Sequence, residues 1–265
     1  MTRRDTAEKE ETQMNTLPIN IQDGGIRLSC VLETPGTGAC PLVIVLHGFS
    51  SNKEKGHTIR ACHAMHEAGC ATLRMDLYGH GESGGTFQDH TLHKWISNTM
   101  AAIDWAVERQ AFSCIYLSGH SQGGLVAALV AGMERERVRG LILRAPAFMI
   151  PRCAREGSML GYTFDIHHIP DSIDVIKGLT LGGNYIRVAQ MVDEDEAIRR
   201  YVGPVLLLHG DEDDVVPCEE SVRAAGMYAR AELQLLKGET HHFDQCTESM
   251  ERLITGWLRR QEDRT

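Results

Sequence analysis

The chain has 265 residues, 42% of them hydrophobic and 24% charged, which is enough apolar material for one large domain with a substantial core. With 27 Lys and Arg against 36 Asp and Glu, the formal net charge is −9, a balance that argues against nucleic acid or an anionic membrane as partner, since both reward clustered cations. No apolar run approaches the roughly 20 residues of a membrane span, and the eight cysteines form no CxxC pair.

Residues 1–15 are polar and charged, with no signal-like apolar stretch, and read as a flexible tail. Without such a signal, Cys30, Cys40, Cys62, Cys70, Cys114, Cys153, Cys218 and Cys246 are expected as reduced thiols, and the chain as cytoplasmic. Short apolar runs at 26–32, 42–46, 71–76, 115–118, 141–144, 205–209 and 233–236 predict strands. The central ones are nearly all apolar, as when helices cover both sheet faces. Leu92, Trp95, Ile96, Met100 and Ile103 recur at helical spacing, as do Met250, Leu253, Ile254, Trp257 and Leu258. Alternating strands and helices predict an α/β fold with a mostly parallel sheet. Residues 16–146 and 201–265 form its core. The interval 147–200 is too long for one crossover and reads as a cap or lid insertion.

The most informative segment is Gly119-His120-Ser121-Gln122-Gly123-Gly124, preceded by a strand and followed by a helical run. This is a nucleophile elbow, in which a strand turns sharply into a helix and presents the Ser121 hydroxyl. Side chains at 119 and 123 would collide across such a turn. A serine hydroxyl needs a base held by a third group. On this fold the acid follows the serine and the histidine comes last. After the strand at 205–209 comes Gly210-Asp211-Glu212-Asp213-Asp214-Val215-Val216-Pro217, from which Asp213 is the candidate acid. Asp211 and Asp214 read as turn formers or solvated charges. After the last strand comes Thr240-His241-His242-Phe243, with His241 the candidate base and His242 its alternative. His47-Gly48-Phe49 ends an early strand, so the Phe49 and Gln122 N–H groups are candidate oxyanion donors. Gly79-His80-Gly81-Glu82-Ser83 reads as a shape-determining turn without chemistry. His63 with His66, and His90 with His93, lie three apart but lack further ligands for a metal site.

Several strings together carry a resemblance: His47-Gly48-Phe49, Leu73-Arg74-Met75-Asp76-Leu77-Tyr78-Gly79-His80-Gly81-Glu82-Ser83, the elbow, Leu181-Gly182-Gly183-Asn184-Tyr185 and Gly238-Glu239-Thr240-His241. From about residue 17 to the C-terminus the chain resembles the bacterial feruloyl (cinnamoyl) esterases. The resemblance implies an α/β-hydrolase fold with an eight-stranded, mostly parallel sheet and a small cap. It implies a catalytic triad of Ser121, Asp213 and His241, and oxyanion donors at Phe49 and Gln122. It also implies a cap tyrosine, Tyr185, facing the substrate ring, whereas 172–178 contains no aromatic residue. Val215 and His120 join Tyr185 as candidate substrate-binding residues. The implied reaction is hydrolysis of feruloyl, p-coumaroyl or caffeoyl esters through an acyl-enzyme, with no metal or organic cofactor and with a homodimer as the expected assembly. A general short-chain carboxylesterase, or a non-catalytic ligand-binding member of the fold, are the competing readings.

Overall fold

The apolar runs form the centre of one sheet, because strands covered on both faces can be apolar throughout. The computed structural model describes residues 14–36, 38–245 and 247–263. It opens with β1 (Met14–Asp23), β2 (Ile26–Pro35), β3 (Cys40–Leu46), α1 (Gly56–Glu67), β4 (Ala71–Met75), α2 (Leu92–Arg109), β5 (Phe112–His120), α3 (Gln122–Met133) and β6 (Gly140–Arg144). Then follow α4 (Met149–Glu156), β7 (Ser158–Met159), β8 (Tyr162–Thr163), β9 (Ser172–Asp174), β10 (Thr180–Gly182), α5 (Gly183–Gln190) and α6 (Glu194–Arg200). The chain closes with β11 (Val205–Gly210), α7 (Glu219–Ala225), β12 (Ala231–Leu236) and α8 (Thr247–Glu262).

The main sheet has eight strands in the order β1-β2-β4-β3-β5-β6-β11-β12. The pairs from β4 to β12 are parallel, and β2 runs antiparallel to both β1 and β4. Residues of α1 and α8 pack on one face with Val43, Val45, Tyr116 and Leu206. Those of α2 and α3 pack on the other with Leu42, Ile44, Leu117 and Leu207. This is the α/β-hydrolase arrangement, which gathers the C-terminal ends of β3, β5, β6, β11 and β12 at one edge of the domain.

Two differences from the sequence reading stand out. Met14 and Asn15, expected in the tail, belong to β1, while the rest of that tail, residues 1–13, lies outside the described residues. β1 itself is an edge strand that is mostly exposed and contains Pro18, so it lacks the apolar run that marks the central strands. Helix α3 is the opposite case. Eleven of its twelve residues, Gln122–Gly132, are buried, because the sheet, α2 and α6, the last from the 147–200 stretch, all pack against it. The seven described cysteines are free thiols, three of them buried. Among the described residues, no helix is long and apolar enough to cross a membrane.

Candidate active site

β5 continues through Gly119 and His120, and α3 begins at Gln122, so Ser121 alone makes the turn. Its backbone sits at φ 54° and ψ −122°, a strained conformation for a non-glycine residue. Two clasps hold it: Ser121 N–H donates to Arg144 O (3.0 Å), and Ala147 N–H donates to Ser121 O (3.0 Å). A Cβ at 119 would lie 2.2 Å from Gly123 O, the collision expected across the turn. At 123 the obstacle is different: a Cβ there would meet His47 O at 2.4 Å, on the chain leaving β3. Gly123 therefore lets the elbow approach the chain leaving β3, which no local pattern reveals.

Asp213 and His241 come from the chain following β11 and β12. His241 Nδ1–H donates to Asp213 Oδ2 over 2.7 Å, leaving Nε2 with its lone pair. The other carboxylate oxygen, Oδ1, accepts Val215 and Val216 N–H, each at 2.9 Å. A fourth donor was not singled out in the sequence. Buried His209, four residues before Asp213, places Nε2 at 3.2 Å from Asp213 Oδ2 and 2.9 Å from Val216 O. Its Nδ1 accepts from Ser221 Oγ (2.6 Å), so the proton is on Nε2. Burial works to raise the Asp213 pKa, but hydrogen bonds from His209 and His241 outweigh it and hold the carboxyl well below its usual range. Asp213 thus stays ionised beside His241. Asp211 is exposed and accepts Gly238 N–H (2.6 Å) from the chain after β12, and Asp214 is exposed. His242 lies against His57, ring centroids 5.5 Å apart.

The loop after β3 carries Phe49. Among the described residues, neither Phe49 N–H nor Gln122 N–H has a backbone acceptor. Gln122 is the first residue of α3, where N–H groups have no intrahelical partner and the helix dipole favours negative charge. His47 fixes the start of the loop: its Nδ1–H donates to Gly48 O (2.8 Å) and its Nε2 accepts Leu77 N–H (3.1 Å). Burial is the main reason its pKa falls to about 3, so it remains neutral.

Ser121, His241, Phe49 and Gln122 all line one cavity of about 810 Å³. Among the described residues, the Ser121 hydroxyl has no hydrogen-bond partner. Such contacts commonly tighten only with substrate bound. Met149, Ile150, Met159, Leu160 and Ile176, all from the stretch after β6, supply an apolar wall, and Val215 lines it from the acid loop. Tyr185 also borders the cavity but is 1% exposed, and its hydroxyl donates to Gln122 Oε1 over 2.7 Å. Its ring packs against Phe49 and His90. His120 is 2% exposed, and its Nε2–H donates to the backbone carbonyl of His241 (2.8 Å). Behind it lies Arg144, fully buried, whose Nη1 donates to His57 O (3.1 Å). Burial first, then this guanidinium, pushes the His57 pKa down to about 2. Among the described residues, no group of three or more His, Cys, Asp or Glu is arranged to hold a metal ion. His66 instead bonds Thr72 Oγ1 (2.8 Å), and His90 is buried against Trp95 and Phe87.

Comparison with known proteins matches residues 38–170 to the family model described as serine aminopeptidase, S33. A structure of Est1E from Butyrivibrio proteoclasticus with ferulic acid bound superposes with a TM-score of 0.91 at 41% identity, covering 92% of this chain and 99% of that one. This agrees with the resemblance in the sequence motifs. Among curated proteins, human ABHD12B is 24% identical over 72% of this chain and 50% of its own length. A thermostable monoacylglycerol lipase from Bacillus sp. (strain H-257) is 25% identical over 66% of this chain and 71% of its own. The chain spans half or less of the length of several such relatives, 33% to 50%.

Proposed function

From the premise that this chain belongs to the serine aminopeptidase (S33) family of α/β-hydrolases, we propose that it is a serine carboxylic-ester hydrolase acting on hydroxycinnamate esters. The single observation that carries the reading is the 2.7 Å hydrogen bond between Asp213 and His241 on the wall of the cavity that holds Ser121. The match to a structure with bound ferulic acid supports the substrate class.

With its Nδ1 proton committed to Asp213, His241 presents a basic Nε2. Ser121 Oγ attacks the ester carbonyl carbon as its proton passes to that nitrogen. The carbonyl oxygen becomes an oxyanion held by Phe49 and Gln122 N–H, each donor worth roughly 3 kcal/mol in the transition state. Collapse breaks the carbon–alkoxy bond, and the imidazolium protonates the departing alcohol. Water, deprotonated by His241, then attacks the acyl-enzyme, releases the hydroxycinnamic acid and returns the proton to Ser121. Neither a metal nor an organic cofactor takes part.

Residues 147–200 act as the cap, with Met149, Ile150, Met159, Leu160 and Ile176 receiving the phenylpropenoid. Val215 forms the opposite wall. Tyr185 shapes the pocket from beneath, holding Gln122 through its hydroxyl rather than stacking openly on the ring. His120 acts on substrate indirectly, through the His241 carbonyl. A cytoplasmic location and a homodimer complete the proposal, with a small aromatic ester as substrate and neither nucleic acid nor membrane as partner.

The test is kcat/KM on methyl ferulate and on p-nitrophenyl butyrate, with wild type and Ser121→Ala. The proposal expects preference for the ferulate and loss of both activities in the variant. Strong preference for the butyrate would replace the cinnamoyl assignment with a general carboxylesterase. Unchanged turnover by Ser121→Ala would leave a non-catalytic binding protein.

A further inference from the structure

The segment 76–83 has no step in the mechanism above, yet its first two residues hold the oxyanion loop at both ends. At the near end, Leu77 N–H donates to His47 Nε2. At the far end, Lys53 donates twice to Asp76: its backbone N–H to Oδ1 (2.7 Å) and its Nζ to Oδ2 (2.6 Å). Asp76 Oδ2 also accepts Glu82 N–H (2.8 Å), and Lys53 Nζ reaches Glu82 Oε2 (2.7 Å). Lys53 and Asp76 are 4% and 1% exposed. Between the two anchors lie Phe49 and Ser50, and Ser50 has φ 52°, a left-handed conformation that persists only where the surroundings over-determine it.

We propose that Lys53 is a positioning residue for the reaction: by gripping Asp76 with both its ammonium and its backbone N–H, it keeps the Phe49 N–H aimed at the oxyanion. This rests on the hydrolase reading of Ser121. A buried ion pair contributes little net stability, because desolvation of both ions offsets their attraction; what it supplies is fixed geometry. Here the geometry is that of a short loop pinned to the end of β4, the strand beside β3. Burial lowers the Lys53 pKa, but the bonds to Asp76 and Glu82 outweigh it, so the ammonium stays charged across the working pH range. Lys53 touches neither substrate nor Ser121. It acts through the backbone between residues 48 and 52.

The test compares wild type with Lys53→Met and Lys53→Arg, and with Lys53→Met combined with Asp76→Asn, which removes both charges should the single variant not fold. Three quantities are read: kcat and KM on methyl ferulate, the inhibition constant of styrylboronic acid (which forms a tetrahedral adduct on serine), and the dissociation constant of ferulate. Lys53→Met, or the double variant, is expected to lower kcat by about 10–100-fold, a fraction of the loss of a whole oxyanion donor. KM should stay within about threefold, boronate affinity should fall in parallel with kcat, and ferulate affinity should hold. Lys53→Arg should retain most of the turnover. Wild-type kcat and boronate affinity in Lys53→Met or in the double variant would overturn the proposal, even if their melting temperature fell. If methyl ferulate is not a substrate, the same comparison is read on p-nitrophenyl butyrate, so losing the substrate class and losing the Lys53 role are separate outcomes.

Discussion

Asp213→Asn isolates the part of the site on which turnover most depends. An asparagine carbonyl can keep both backbone bonds now made by Oδ1, from Val215 and Val216. The side-chain amide then replaces Oδ2, which today accepts from His241 Nδ1 and lies 3.2 Å from His209 Nε2. The amide offers only donors there, so His241 must accept at Nδ1 and move its proton to Nε2. In that tautomer it cannot take the Ser121 proton. The cost of a wrong tautomer in a serine hydrolase is about 10⁴ in kcat, or about 5.4 kcal/mol of transition-state stabilisation. His209 faces the same amide but keeps its bond to Val216 O, so the fold should survive. The assay is steady-state kcat and KM on methyl ferulate, with the rate of fluorophosphonate labelling of Ser121 as a second readout. KM should change little, and labelling should slow with kcat. Asp214→Asn is the control, since Asp214 is exposed, and should stay within about twofold. Asp213→Asn within tenfold of wild type, or a large loss in Asp214→Asn, would refute the assignment of the acid.

His241→Asn should abolish turnover to a similar or greater degree, whereas His242→Asn should cost less than about tenfold, because the 241 ring bonds Asp213 while that of His242 lies against His57; equal losses measured by kcat would contradict this. Tyr185→Phe removes the donor to buried Gln122 Oε1 and should cost about 1–3 kcal/mol of stability in denaturant titration, and kcat should fall as Gln122 loosens. His47, His57 and His90 have pKa values pushed down, chiefly by burial, to about 3, 2 and 3. Unfolding lets them bind protons from about pH 6.5 downward, so their contribution is full above that pH and falls as acid is added. Asp213 acts in the same direction at lower pH: its carboxyl is held below its unfolded value, so its contribution is present above about pH 4 and lost beneath it. Melting temperature should therefore drop steeply from pH 6.5 to 4, and a flat profile by scanning fluorimetry would count against it.

The resemblance to an esterase was readable because its motifs are local. Gly119 must lack a side chain for a reason contained within five residues, and the acid and base each follow an apolar strand that announces itself. β1 did not announce itself, since an exposed edge strand has no need of an apolar pattern. Tyr185 was legible as a tyrosine near the pocket, but the pairing of its hydroxyl with Gln122 joins residues 63 apart. His209 stood in plain view beside Asp213. Only the fold of the loop at 210–216 brings its ring back onto that carboxylate.

By itself the amino-acid sequence determined the elbow and the alternation of strands with helices, because both follow from steric and hydrophobic demands within a few residues, whereas the candidate acid and base were picked out by the order that this fold class keeps. The tertiary structure decided which donors converge on Asp213, that Gly123 is small for the sake of β3, and that the end of β4 holds the loop after β3 through Lys53 and Asp76. Those facts depend on hydrogen bonds between segments far apart in the chain, and such bonds acquire direction and length only once the sheet has set its strands side by side.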